Sequence, residues 1–132
     1  ATRAFAALAT VLAGRLARIS DHPERDAEEA GIDWGHGLVD GAPAGGDPQR
    51  AVLDALARLG FSPDQTPDEA PAGVALRSCP LLEAARAHPE IVCRVHLGIV
   101  VGMLAELGAP RDAELTPFAE PGACRLRLTG RR

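Results

Sequence analysis

The chain contains no lysine, no asparagine and no tyrosine, so all 14 basic residues are arginine. Without lysine there is no Schiff-base nucleophile, and without tyrosine no phenolic proton donor. The three missing types share AT-rich codons, so the sequence reads as the product of a GC-rich bacterial genome. Aromatic residues make up only 3%, too few for a platform on which bases stack. An excess of positive charge is also missing. The net charge is −4, which excludes a domain built as a whole to neutralise phosphates. No apolar run reaches the ~18 residues that a membrane-spanning helix needs. The N-terminus lacks a basic stretch followed by an apolar core and a cleavage site, so no signal peptide is read and a cytoplasmic protein is expected. Cysteine is scarce and odd in number, at three, so a disulfide framework is not expected either.

What remains is ordinary globular material, with 46% hydrophobic and 24% charged residues in 132 positions. That is enough for one domain with its own core. Phe5, Leu8, Leu12, Leu16 and Ile19 recur at helical steps and predict an amphipathic helix over roughly residues 2–19. Ser20, Asp21 and Pro23 stop it and start a second helix, acidic first and glycine-bearing later, through Gly31, Gly35 and Gly37. Asp47-Pro48 opens a third helix that Gly60 closes. Two candidate strands follow, at about 61–66 and 73–78. Ser78-Cys79-Pro80 begins a short helix, and His88-Pro89-Glu90 separates it from a long one over about 90–107. That helix is apolar nearly all round, which predicts either a buried central position or a subunit interface. Gly98 and Gly102 let another backbone approach and mark the expected dimer interface. Strands at about 113–118 and 123–129 end the chain. Cys124, Leu126 and Leu128 share the inward face of the last one. The fold class expected is α+β, with helices on a small antiparallel sheet made of two hairpins and the long buried helix between them. No internal repeat is read.

The chemistry-bearing residues are few. Cys79, Cys93 and Cys124 come from three separate elements, and their spacing is not that of a zinc finger or ribbon. Thiolates so placed can converge on one soft metal or an iron–sulfur cluster, or can simply pack as small hydrophobic groups. His96 shares a helix face with Cys93, and His88 lies at the break between helices. Either could complete a metal site as fourth ligand. No nucleotide-binding glycine loop, nucleophile elbow or zinc-protease motif is present, so no enzyme is expected. A thiol nucleophile at Cys79 with His88 as its base is the weakest of the readings. The acidic run from Glu24 to Glu29 reads as a solvated helix face.

The stretch Arg77-Ser78-Cys79-Pro80-Leu81-Leu82-Glu83, continued by His88-Pro89-Glu90-Ile91-Val92-Cys93-Arg94-Val95-His96-Leu97-Gly98, carries a resemblance. Leu115-Thr116-Pro117-Phe118, Pro121-Gly122-Ala123-Cys124 and the Trp34 region add to it. Together they resemble the C-terminal effector domain of ArsR-like winged-helix transcriptional regulators from actinobacteria, over about residues 30–129. A related branch represses the iron–sulfur assembly operon and holds an iron–sulfur cluster through three cysteines. The resemblance implies that Cys79, Cys93 and Cys124 are ligands of a cluster or of zinc. It also implies that residues 1–132 form a sensor and dimerisation domain, whose DNA-reading winged helix would lie N-terminal to Ala1. The chain would then act as a homodimer that meets DNA only through that absent part. A small-molecule-binding regulatory domain with structural cysteines is the alternative.

Overall fold

The computed structural model describes residues 2–39, 46–63, 74–76, 82–109, 111–120 and 123–130. Among the described residues, five helices and three strands run in the order α1 (Thr2–Ile19), α2 (Pro23–Leu38), α3 (Pro48–Leu59), β1 (Val74–Leu76), α4 (Leu82–Ala87), α5 (Pro89–Glu106), β2 (Arg111–Glu120) and β3 (Ala123–Gly130). The class is α+β with a small antiparallel sheet, as expected.

Local chemistry sets several boundaries. The Asp47 carboxylate accepts from the Gln49 amide and Pro48 fills the first helical position, so α3 starts there. Gly60 ends it at φ 104°, with its N–H reaching back to the carbonyls of Leu56 and Ala57. Phe61 then turns into the core as the apolar residue beyond the cap, its N–H also bonded to the Leu56 carbonyl. Two helices begin in the same way. His22 and His88 each precede a Pro-Glu pair, and their backbones match closely, at φ −137°, ψ 68° and φ −139°, ψ 67°. The molecule therefore does repeat a device, a helix–His-Pro–helix elbow, where no repeat is read from the sequence. Neither histidine caps its helix through its side chain. At the first elbow the Ser20 hydroxyl accepts from the His22 amide and donates to Asp26.

The strands form one sheet in the order β1-β3-β2. Leu76 lies opposite Cys124, Leu115 opposite Leu126, and Ala113 opposite Leu128. Opposed residues share a face, so these six side chains line the side that packs on the core. Arg127 and Glu114 pair on the outer side at 3.6 Å. Of the two expected hairpins, the second forms as β2 with β3. β1 pairs with β3, and Pro63 touches Leu76 through a single isolated bridge. The rest of the expected first hairpin, 64–73, lies outside the described residues.

α5 carries buried side chains into two clusters. Ile99, Val100, Met103 and Leu104 join Val52, Leu56, Phe61, Leu76, Cys124 and Leu126. Ile91 and Val92 join a second cluster built largely of alanine, from Ala13, Ala27, Ala84 and Ala85.

The tightest contact is between α2 and α5. Rising positions on one meet rising positions on the other: Glu28 and Gly31 face Gly98, then Ile32 faces Gly102, then Gly35 faces Ile99 and Met103. The two helices are thus parallel. A side chain at Gly98 would run into the Glu28 carbonyl, and one at Gly102 into the Ile32 carbonyl. Arg94–Glu28 at 3.4 Å and His36–Glu106 at 3.1 Å flank the contact. This corrects the expected role of Gly98 and Gly102. The backbone that approaches them is α2 of the same chain, so no second subunit can seat there.

α1 also departs from expectation. Of its periodic large residues only Leu16 packs inward, with Ala9, Ala13 and Ala17. Phe5, Leu8, Val11, Leu12 and Ile19 are each more than half exposed. The helix rests on the fold through its small face, because α4 beneath it offers only Ala84 and Ala85.

Candidate functional site

The described chemistry gathers around α5 where it crosses the sheet. Proline at its first position and Glu90 in its first turn suit the positive helix end. Cys93 lies one turn further on, half-buried, in an open groove of about 290 Å³. Pro89, Leu97 and Leu115 supply the apolar lining, and Glu24, Glu90 and Arg94 the polar one. Glu24 enters from α2, because the two elbows place the starts of α2 and α5 side by side. Leu115 enters from β2, opposite Leu126 of β3.

Cys124 stands two residues before Leu126 on the same strand face, buried in the main cluster with Leu76 and Val100. Cys93 and Cys124 are both thiols rather than halves of a disulfide. Cys79 lies outside the described residues, between β1, whose last residue faces Cys124, and α4.

His96 is 3% exposed, and its ring stacks on Phe61 with centroids 4.1 Å apart. Its Nε2 is buried with no hydrogen-bond partner. Burial removes the water that would solvate an imidazolium, and its pKa falls from 6.5 to about 4. The ring is therefore neutral at pH 7, with a nitrogen to spare. His88 turns elsewhere: its Nε2 comes 3.0 Å from where a Cβ would stand on Gly14, so its ring occupies the gap that this glycine leaves in α1. It is not among the residues that line the Cys93 groove.

Of the expected ligand set, then, Cys93, Cys124 and His96 lie on or against the layer between α5 and the sheet. Among the described residues, no three histidine, cysteine, aspartate or glutamate side chains are grouped closely enough to hold a metal ion. The soft donors fit zinc or an iron–sulfur cluster in kind, and the orphaned His96 Nε2 is a buried acceptor or donor that a ligand would satisfy; Arg94 Nε is the other buried side-chain atom without a partner among the described residues. Sequence reasoning missed Phe61 as the partner of His96 and Glu24 and Leu115 as walls of the groove. Phe61 had a signal, an apolar residue directly after a capping glycine. Glu24 and Leu115 had none, because they reach α5 from distant parts of the chain.

No helix among the described residues is long and apolar enough to cross a membrane. No family model, curated protein or solved structure matches this chain.

Proposed function

We propose that the chain is the regulatory sensor and dimerisation domain of a cytoplasmic bacterial transcription factor. Its DNA-reading winged helix would lie N-terminal to Ala1. Cys79, Cys93 and Cys124 would take up an iron–sulfur cluster or zinc, with His96 as the fourth donor, once α5 and the sheet shift to bring together donors that are not grouped in this arrangement. The observation that carries this reading is the unpartnered, neutral Nε2 of His96 beside a layer that also holds two thiols. The site of the strand thiol supports it, since Cys124 lies on the inner sheet face against α5. The bound group would supply a charge and a set of bonds that tie α5 to the sheet. Its loss or oxidation would change how those two layers sit. Such an effector alters operator affinity only if it binds one arrangement of the homodimer more tightly than another. The proposal assigns the chain no catalysis.

Anaerobic purification with iron, sulfide and zinc analysis and a visible spectrum tests this. The expected result is stoichiometric metal that falls severalfold in Cys93→Ser and in Cys124→Ser. Metal-free protein, or uptake unchanged in both variants, would overturn it. The groove supports a second reading, in which a small apolar molecule with a polar end binds beside α5 and the cysteines are structural. Pro89, Leu97 and Leu115 would hold its body and Arg94 its polar end. Ligand-dependent quenching of Trp34, with metal content nil, would favour that reading over the first.

A further inference from the structure

α1 is built the wrong way round for a helix with one covered face. Small residues, Ala9, Ala13 and Ala17, point at the fold with Leu16. The large ones, Phe5, Leu8, Val11, Leu12 and Ile19, point away and are 53% to 70% exposed. At 100° per residue they occupy one stripe about a third of the way round the helix, with Arg15 the only charge inside it. The exposed parts amount to on the order of 500 Å² of apolar surface, within the range of the largest patches on single chains, which are often functional. Doubled across a pair of copies, they reach about 1,000 Å², the lower end of what a specific interface needs.

The stripe also has the repeat of a two-helix seam. Phe5, Leu8, Leu12, Arg15 and Ile19 follow each other by three, four, three and four positions. We infer that a second copy of this chain covers α1, with the two α1 helices packed antiparallel about a two-fold axis between Leu8 and Leu12. The charges select this direction. α1 has no acidic residue, and its cations with described side chains, Arg15 and Arg18, sit in its last turns. A parallel pair would set these arginines beside their own copies. The antiparallel pair separates them to opposite ends and opposes the two helix dipoles. It also gives Arg15 a place. With the axis between Leu8 and Leu12, Leu8 meets Leu12 of the second copy, and Arg15 lies over the ring of Phe5 of the second copy, a favourable cation–aromatic contact.

The inference stands apart from the cysteine proposal, because none of the three thiols is on α1. The test uses the whole chain and measures its mass in solution across micromolar concentrations by sedimentation and light scattering. Wild type is expected at twice the chain mass, with a melting temperature that rises with concentration. Leu8→Glu/Leu12→Glu alters only exposed positions, so it is expected at the single-chain mass with unchanged helix content. Phe5→Gln is the second variant, near the helix end, expected to weaken self-association severalfold should the double variant fail to fold. A wild type that stays monomeric overturns the inference, whether or not α1 then binds anionic vesicles. Dimers of undiminished strength in Leu8→Glu/Leu12→Glu or in Phe5→Gln overturn it as well.

Discussion

The His96 ring is the most exacting side chain in the core. It stacks on Phe61, has lost its water, and keeps one nitrogen without a partner. Its pKa near 4 in the folded chain lies below the 6.5 of an unfolded one. Between those values the unfolded chain binds the proton and the folded chain does not, so stability falls as pH falls. The loss is complete only below the folded value and amounts to about 3 kcal/mol. Urea unfolding at pH 7 and pH 4.5 is expected to show the midpoint dropping for wild type. His96→Leu removes the titrating group and leaves an apolar side chain of similar reach. Its midpoint is expected to hold nearly level over the same range, because an unsatisfied buried nitrogen is removed together with its proton.

At the scale of elements, the contact of α2 with α5 depends on the absence of side chains. Gly98→Ala would press a methyl into the Glu28 carbonyl and force the helices apart. A loss of about 3 kcal/mol is expected, at the upper end of overpacking, read as a lower midpoint in chemical denaturation. Gly37 is the control. It lies in the same α2, but a methyl there meets nothing within 4 Å. Gly37→Ala is expected to raise stability by about 0.5 kcal/mol through helix propensity alone. Gly98 and Gly102 show what was legible in the sequence. Two glycines four apart on an apolar helix announce a close neighbour, but they do not name it. Its partner glycines, Gly31 and Gly35, lie far back in the chain, and only the fold brings the two sets together. Boundaries written in adjacent residues, such as Asp47-Pro48 and Gly60, could be read directly. The pairing of β1 with β3 was harder to read, because it joins strands far apart in the chain and leaves no mark in adjacent residues. The face of α1 was misjudged for a related reason. Periodicity says that large residues share a side, and it says nothing about which side the fold covers. The candidate site shared this limit: Cys124 could be placed inward from alternation, whereas its neighbours on α5 could not be named.

For the molecule as a whole, charge is the simplest guide. At a net −4, the chain as a whole gains nothing from the phosphate charge of duplex DNA. Fluorescence anisotropy with labelled duplexes is expected to show no sequence-selective binding by this chain at low salt. Selective, salt-sensitive binding would contradict the proposed sensing role. The parallel contact between α2 and α5 also bears on how the molecule assembles in time. Glu28 and Arg94 are 66 positions apart (94 − 28), and everything from α3 to α4 forms a loop between them. Closing a loop of that length is entropically unfavourable and comes before any contact rewards it, so this helix pair is expected to form slowly. Until it closes, α1 and α2 have almost nothing to rest on. α1 and α2 are therefore expected to settle only after α5 has left the ribosome. A cut anywhere in the loop leaves each fragment with one wall of the same contact, so neither half is expected to fold without the other.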